Sequence, residues 1–241
     1  MGSTGGDKSG REVELKLRVE DLAALMKIAI AASLECGGVP QPTITQTNAF
    51  FDTPDRALGV RGLVVRLREE RTRTTAKWFV TAKGPGQRSG TLTDVREEEV
   101  EIDEKQAKAI RAGADAVAPL EGGPASRKSI VSFIRNTLQG RPIVLVGQFQ
   151  NERTPIEVTM ALPGGAMFHA VLELDRTRFP PAASGAEQVH HEVEMEVPEG
   201  VDPEAASRSL EEMFRRAGVV GRSAPGKARR FFAAVRGERL E

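Results

Sequence analysis

Side chains two apart on a strand point to the same side, and this chain repeatedly places charges at that spacing. Glu12, Glu14 and Lys16 alternate with Val13, Leu15 and Leu17. Glu192, Glu194 and Glu196 alternate with Val193, Met195 and Val197. Arg66 and Arg68 flank Leu67, Lys83 ends the run Thr81-Ala82-Lys83, and Arg96 shares a face with Glu98. Asp175 follows Glu173 by two, and Arg153 lies near the end of a further strand-like run. The two signs suit different chemistry. Arg and Lys bind phosphate oxygens, Arg through a planar bidentate fork. Clustered carboxylates suit a hard divalent cation such as Mg²⁺ or Mn²⁺. Carboxylates repel a bare polyphosphate, so the two sets belong together where a metal lies between acids and phosphates. Phosphoryl transfer uses that combination.

The elements that would position these residues follow from periodicity and turn residues. Period-two runs at Glu12–Val19, Ile44–Asp52, Leu63–Thr72, Ala76–Lys83 and Thr91–Ile102 read as strands. Further strands are expected at Ile143–Glu152, Ile156–Leu162, Ala166–Phe179 and Val189–Val197, about nine in two runs. Short gaps rich in Gly, Pro and Asp favour antiparallel neighbours. Helices are expected from Asp21 to Glu35, Glu104 to Gly113, Ser126 to Leu138, Asp202 to Ala217 and Lys227 to Arg236. No βαβ alternation appears, so a parallel sheet is not expected. One strand with a charged face is a solvated face. Six such strands predict a closed antiparallel barrel whose apolar faces point outward under helices and whose charged faces line a lumen. Charges in such a lumen must be paired, hydrogen-bonded or metal-bound.

Bulk composition narrows the class. The 34 basic residues balance the 34 acidic ones, which argues against a generic nucleic-acid binder. With one cysteine, Cys36, an intramolecular disulfide is impossible, and its apolar neighbours predict a structural thiol. No apolar run approaches the roughly 18–20 residues that span a bilayer. Residues 1–10 read as a flexible Gly/Ser-rich tail without a signal core, and 11–241 as one tunnel-barrel domain. Cytoplasmic localisation and a monomer or homodimer are the expectation. His190-His191 does not read as a zinc site, because adjacent strand residues face opposite ways; His191 is expected outside the barrel with Val193.

The ordered motifs resemble the CYTH superfamily, the triphosphate tunnel metalloenzymes. Glu12-Val13-Glu14-Leu15-Lys16 is similar to its Glu-x-Glu-x-Lys signature. Phe50-Phe51-Asp52-Thr53-Pro54-Asp55 is similar to its Phe-Asp-Thr-Pro segment, and Arg66-Leu67-Arg68 to its arginine strand. Thr81-Ala82-Lys83-Gly84 and Arg96-Glu97-Glu98 resemble its lysine and Arg-x-Glu strands. Leu174-Asp175-Arg176 and Glu192-Val193-Glu194-Met195-Glu196 resemble its late acidic elements, and Lys227 its final lysine. Thr177 stands where many members have Gly, and Ser223 is separated from Lys227 by three residues. The resemblance covers Glu12 to Arg230.

It implies an α+β fold built on a closed eight-stranded antiparallel tunnel with flanking helices. It implies Mg²⁺ or Mn²⁺ held by Glu12, Glu14, Glu192, Glu194 and Glu196 with Asp175. It implies phosphates held by Lys16, Arg66, Arg68, Lys83, Arg96, Arg153 and Lys227, with Lys16 and Glu14 at the chemistry. The expected substrate is a triphosphate-containing small molecule, first inorganic tripolyphosphate. Thiamine triphosphate hydrolysis, adenylate cyclisation and non-catalytic polyphosphate binding are the alternatives. The paired acids weigh against a pure binder, which gains little from them.

Overall fold

The computed structural model describes residues 11–122, 128–181 and 188–237; the side chains of Arg11, Glu12, Arg88 and Lys128 are outside that description. Eight long strands close on themselves. In chain order they include β1 (Arg11–Val19), β3 (Ile44–Asp52), β4 (Val64–Arg71), β5 (Ala76–Lys83) and β7 (Leu92–Ile102), then β8 (Val144–Ala161), β9 (Met167–Phe179) and β10 (Gln188–Glu196). Around the barrel the order is β1-β10-β9-β8-β3-β4-β5-β7, and β7 pairs β1 to complete the circuit. Every pairing is antiparallel. The short β2 (Val39–Pro40) adds to β8, and β6 (Gln87–Ser89) adds to β7 after the Gly84-Pro85-Gly86 break. Closure pairs each of these eight strands with a neighbour on both sides, which removes the open edges of a flat sheet.

The expected break before Ile156 is absent: β8 runs continuously through Pro155, which sits opposite Glu173. Proline lacks a backbone donor, yet its carbonyl accepts from Gln41 N at 2.8 Å, so the strand keeps a bond on that side.

Helices begin where their caps stand. Asp21 accepts from Ala24 N at 2.8 Å at the head of α1 (Leu22–Cys36), which ends on left-handed Gly37. A four-residue α2 (Ala57–Val60) follows the Phe-Asp-Thr-Pro segment and was not legible. Buried Asp52 builds it: Oδ1 accepts from Thr53 N at 2.7 Å and Leu58 N at 2.9 Å, and Oδ2 from Gly59 N at 3.0 Å. That motif's carboxylate therefore organises a turn. A capping box at Asp103 and Gln106 opens α3 (Glu104–Arg111). α4 spans Lys128–Leu138, α5 follows Asp202 from Pro203 to Arg216, and α6 runs Lys227–Val235.

The apolar strand faces point outward. Leu15, Leu17, Ile156, Leu172, Leu174, Val193 and Met195 pack under α1 and α5 with Ile28, Leu210 and Phe214. Val65, Leu67, Val80 and Ala82 pack under α3 and α4 with Ile110, Ile130 and Ile134. Each such side chain contributes about 1.5–3 kcal/mol on burial. A third cluster lies among lumen-facing residues: Phe50 stacks on Phe231 of α6, Phe149 packs against both, and Phe179 packs on Phe149. Gly147 makes room for it, since a Cβ there would lie 3.1 Å from Phe231 Cζ. His191 lies on the outer face, as alternation requires.

Candidate active site

Charged residues line the lumen in two sets. The acidic set sits on adjacent strands. Cross-strand pairing puts Glu14 opposite Glu196, Lys16 opposite Glu194, and Glu192 opposite Asp175. Asp175, Glu192 and Glu194 are buried and each offers an oxygen within 4.8 Å of the others. Their positive partners come from three elements. Lys16 Nζ lies 2.6 Å from Glu194 Oε1 and 3.4 Å from Glu14 Oε2. Arg153 of β8 forks onto Asp175 at 2.9 and 2.6 Å and reaches Glu194 at 2.7 Å and Glu173 at 2.5 Å. Lys227, at the start of α6, lies 2.7 Å from Asp175 and 2.6 Å from Glu194, and pairs with Glu192.

Burial opposes these charges and their neighbours favour them. Burial pushes Glu194 up, but Lys16, Lys227 and Arg153 outweigh it and hold the carboxyl well below its usual range. Burial pulls Lys16 down, but Glu14, Glu194 and Glu192 outweigh it, so the ammonium stays protonated. Glu14 goes the other way: burial, then Glu194, raise it to about 7 against the pull of Lys16 and Lys227.

The basic set occupies the opposite wall. Arg66 and Arg68 of β4 share the lumen face with Thr81 and Lys83 of β5 and Glu97 and Glu99 of β7. Arg66 donates to Thr81 Oγ1 at 3.1 Å and lies 3.5 Å from Glu99. Arg68 Nη2 meets Glu99 at 2.8 Å, its Nε meets Glu70 at 3.1 Å, and Lys83 meets Glu97 at 2.5 Å. Burial, Arg68 and Arg153 lower the Arg66 pKa, against the pull of Glu97 and Glu99. These guanidiniums crowd one another, a state that a polyanion relieves.

An amide chain ties the walls together. Gln46 donates to Glu70 at 2.9 Å; Asn151 donates to Gln46 at 2.9 Å and to Asp175 at 2.8 Å. Thr177 donates to Asn151 Oδ1 at 2.8 Å, which fixes the amide orientation. The residue that departs from the Gly pattern thus holds the link.

Residues 10–232 match the CYTH domain. The chain belongs to the CYTH family. No match was found among curated proteins. This CYTH chain is similar in structure to HpAC1 from Hippeastrum, described as a candidate adenylyl cyclase with a dominant triphosphatase activity. The TM-score is 0.71 at 23% identity, over 95% of this chain and 97% of that one. It is also similar to a candidate adenylate cyclase from Bacillus halodurans, at TM-score 0.58 and 18% identity over 92% and 99% of the two chains. The PH1012 protein of Pyrococcus horikoshii follows at 0.51 and 16% over 95% and 99%. At these identities the likeness is one of fold.

Of the residues expected in this CYTH site, the lumen gathers Glu14, Lys16, Arg66, Arg68, Lys83, Arg153, Asp175, Glu192, Glu194 and Lys227. Lys227, like Lys16 and Arg153, meets carboxylates of the acidic set. Glu12 pairs Val95 through its backbone, but its side chain lies outside the described residues. Glu196 ends β10, exposed, outside the three-carboxylate cluster. Arg96 is a correction. The pairs Lys83–Glu97 and Thr81–Glu99 place the odd-numbered residues of β7 in the lumen. Arg96 therefore faces outward, exposed in a cleft of about 360 Å³ with Pro85, Ser129, Ile130 and Phe133. Both faces of β7 carry charge, so alternation alone did not fix its phase. The same ambiguity hid Glu97 and Glu99. Gln46 and Asn151 were missed because uncharged amides carry no signal in a charge pattern.

Proposed function

We propose that the chain is a divalent-metal-dependent hydrolase that cleaves a phosphoanhydride bond of a triphosphate, with inorganic tripolyphosphate as substrate. The observation that carries this reading is the meeting of buried carboxylates and a crowded guanidinium wall inside one closed barrel. Family membership supports a triphosphate or nucleotide ligand. The packed phenylalanines support an inorganic one: Phe50 and Phe231 are 1% and 0% exposed, stacked on each other with no aromatic slot left between them.

The donor set fits a hard cation. Glu192 Oε1 and Glu194 Oε1 are buried and accept no aligned hydrogen bond, although lysine ammoniums stand close by. Asp175, Glu192 and Glu194 would hold the ion, with Glu14 alongside. Such an ion supplies Lewis-acid polarisation and a bound water of lowered pKa. The protein's own residues do the rest. Arg66, Arg68 and Lys83 take phosphate oxygens, and Arg153 stands across the lumen from them. Glu97 and Glu99 aim the forks until substrate replaces them. Lys16, kept protonated, steadies oxygen near the point of attack by donating; it does not take a proton.

The test is phosphate release from tripolyphosphate, thiamine triphosphate and ATP, each with Mg²⁺, Mn²⁺ or EDTA. Fast metal-dependent release from tripolyphosphate is the expected result. Cyclic AMP formed from ATP without phosphate release would replace this reading with a cyclase, and no turnover of any substrate with a non-catalytic polyphosphate binder.

A further inference from the structure

Beyond the lumen's two charged sets, the α6 end of the barrel brings together, among the described residues, Arg18, Arg222 and Arg230 with the carboxylate of Glu192. Arg18 lies two residues past Lys16 on the same face of β1, about 7 Å along the strand. The α5–α6 connection lies against β1 there: Arg18 N donates to Arg222 O and Arg222 N to Arg18 O, both at 2.8 Å. Residues that exchange both bonds across antiparallel backbones present side chains to the same face. Gly221 makes this approach possible, since a Cβ would sit 2.9 Å from Phe214 and 3.1 Å from Leu17. Arg222 is thus held beside Arg18 by backbone.

The third arginine is Arg230 of α6, only 4% exposed. It pairs with Glu192 and bonds His190 Nδ1 at 2.9 Å, and its buried Nε has no partner. His190 gives no negative charge. Glu192 faces Arg18 across the strands, but Lys227 and Arg230 already claim its oxygens. Among the described residues, neither Arg18 nor Arg222 makes a side-chain hydrogen bond or ion pair. Burial, then the charge of Arg230, lower the Arg18 pKa, and Arg222 adds to the effect. Like charges held together at a partly enclosed mouth cost free energy that a bound dianion offsets.

We propose that Arg18 and Arg222, backed by Arg230, form a second anion site at the α6 end of the barrel, one that binds a phosphate-class dianion. Its ligand is orthophosphate. That the tunnel itself releases this orthophosphate rests on the hydrolase reading; the binding does not.

The experiment titrates orthophosphate into the full chain in EDTA, read by calorimetry. Three proteins are compared: wild type, Arg66→Gln/Arg68→Gln, and Arg18→Gln/Arg222→Gln. Each fold is checked by circular dichroism. Binding should persist in the lumen variant and weaken about tenfold or more in the Arg18/Arg222 variant, the loss expected of charge-assisted bonds. Arg222→Gln alone, on an exposed loop, should give part of that loss if the double variant does not fold. Binding abolished by the lumen changes and untouched by the Arg18/Arg222 changes would overturn the proposal, as would absence of orthophosphate binding in wild type. Turnover assays are separate, so a chain that hydrolyses nothing yet binds phosphate through Arg18 and Arg222 would sink only the hydrolase reading.

Discussion

Glu14 shares a strand face with Lys16, and its burial there makes stability depend on pH. The Glu14 carboxyl is raised to about 7 by burial and by Glu194. A raised folded-state pKa means that its contribution to stability is present below the unfolded value near 4.5 and is lost as pH rises through 7. Urea denaturation in EDTA at pH 5 and pH 8 should therefore show a fall for wild type that Glu14→Gln lacks. The same variant should lose metal-dependent turnover; unchanged turnover would remove Glu14 from the site. Arg66→Ala should raise KM about tenfold or more by deleting a phosphate clamp, whereas Arg96→Ala should leave kcat and KM within about twofold, as expected away from the chemistry. Equal effects from the two would contradict the register of β7. Most lumen charges were legible because each strand had one plainly apolar face that fixed its phase. Arg96 was misread because β7 lacks such a face over Asp94–Glu99. Lys227 was picked out only by resemblance, and its pairing with the carboxylates that receive it was not legible, because a helix docking into a barrel mouth leaves no trace in strand alternation.

At the level of elements, α6 joins the acidic set to the aromatic cluster. Phe231 stacks on Phe50 at a centroid distance of 4.8 Å, and Lys227 and Arg230 on the same helix meet Asp175, Glu192 and Glu194. Phe231→Ala should cost about 3–5 kcal/mol, the usual price of emptying a buried aromatic site. Because the helix carries Lys227, the same change should alter metal affinity, which Mn²⁺ titration would reveal. A stability loss below about 1 kcal/mol would mean that α6 docks without that ring. Helix starts were readable from Asp21 and Asp202, whose side chains cap as expected, whereas the cap at Asp103 was found only in the structure. The short α2 was not, since four residues give no periodicity and depend on the bonds to Asp52.

For the molecule as a whole, a cation that binds only the folded barrel must stabilise it by mass action. Mg²⁺ or Mn²⁺ at about a hundred times its dissociation constant should add about 2.7 kcal/mol, seen as a higher melting temperature that EDTA reverses. No shift with either ion would argue against the carboxylate cluster as a metal centre. Closure of the barrel has a separate outcome during synthesis. β1 leads the described chain, yet its register with β10 pairs Glu14 with Glu196 and Lys16 with Glu194. Those partners leave the ribosome long after β1 does, so the first strand is unpaired until β7 is made and then half-paired until β10 follows. Long-range closures of this kind fold slowly and expose an edge meanwhile. The acidic set cannot assemble on an unfinished chain, so a truncated translation product carries no working centre.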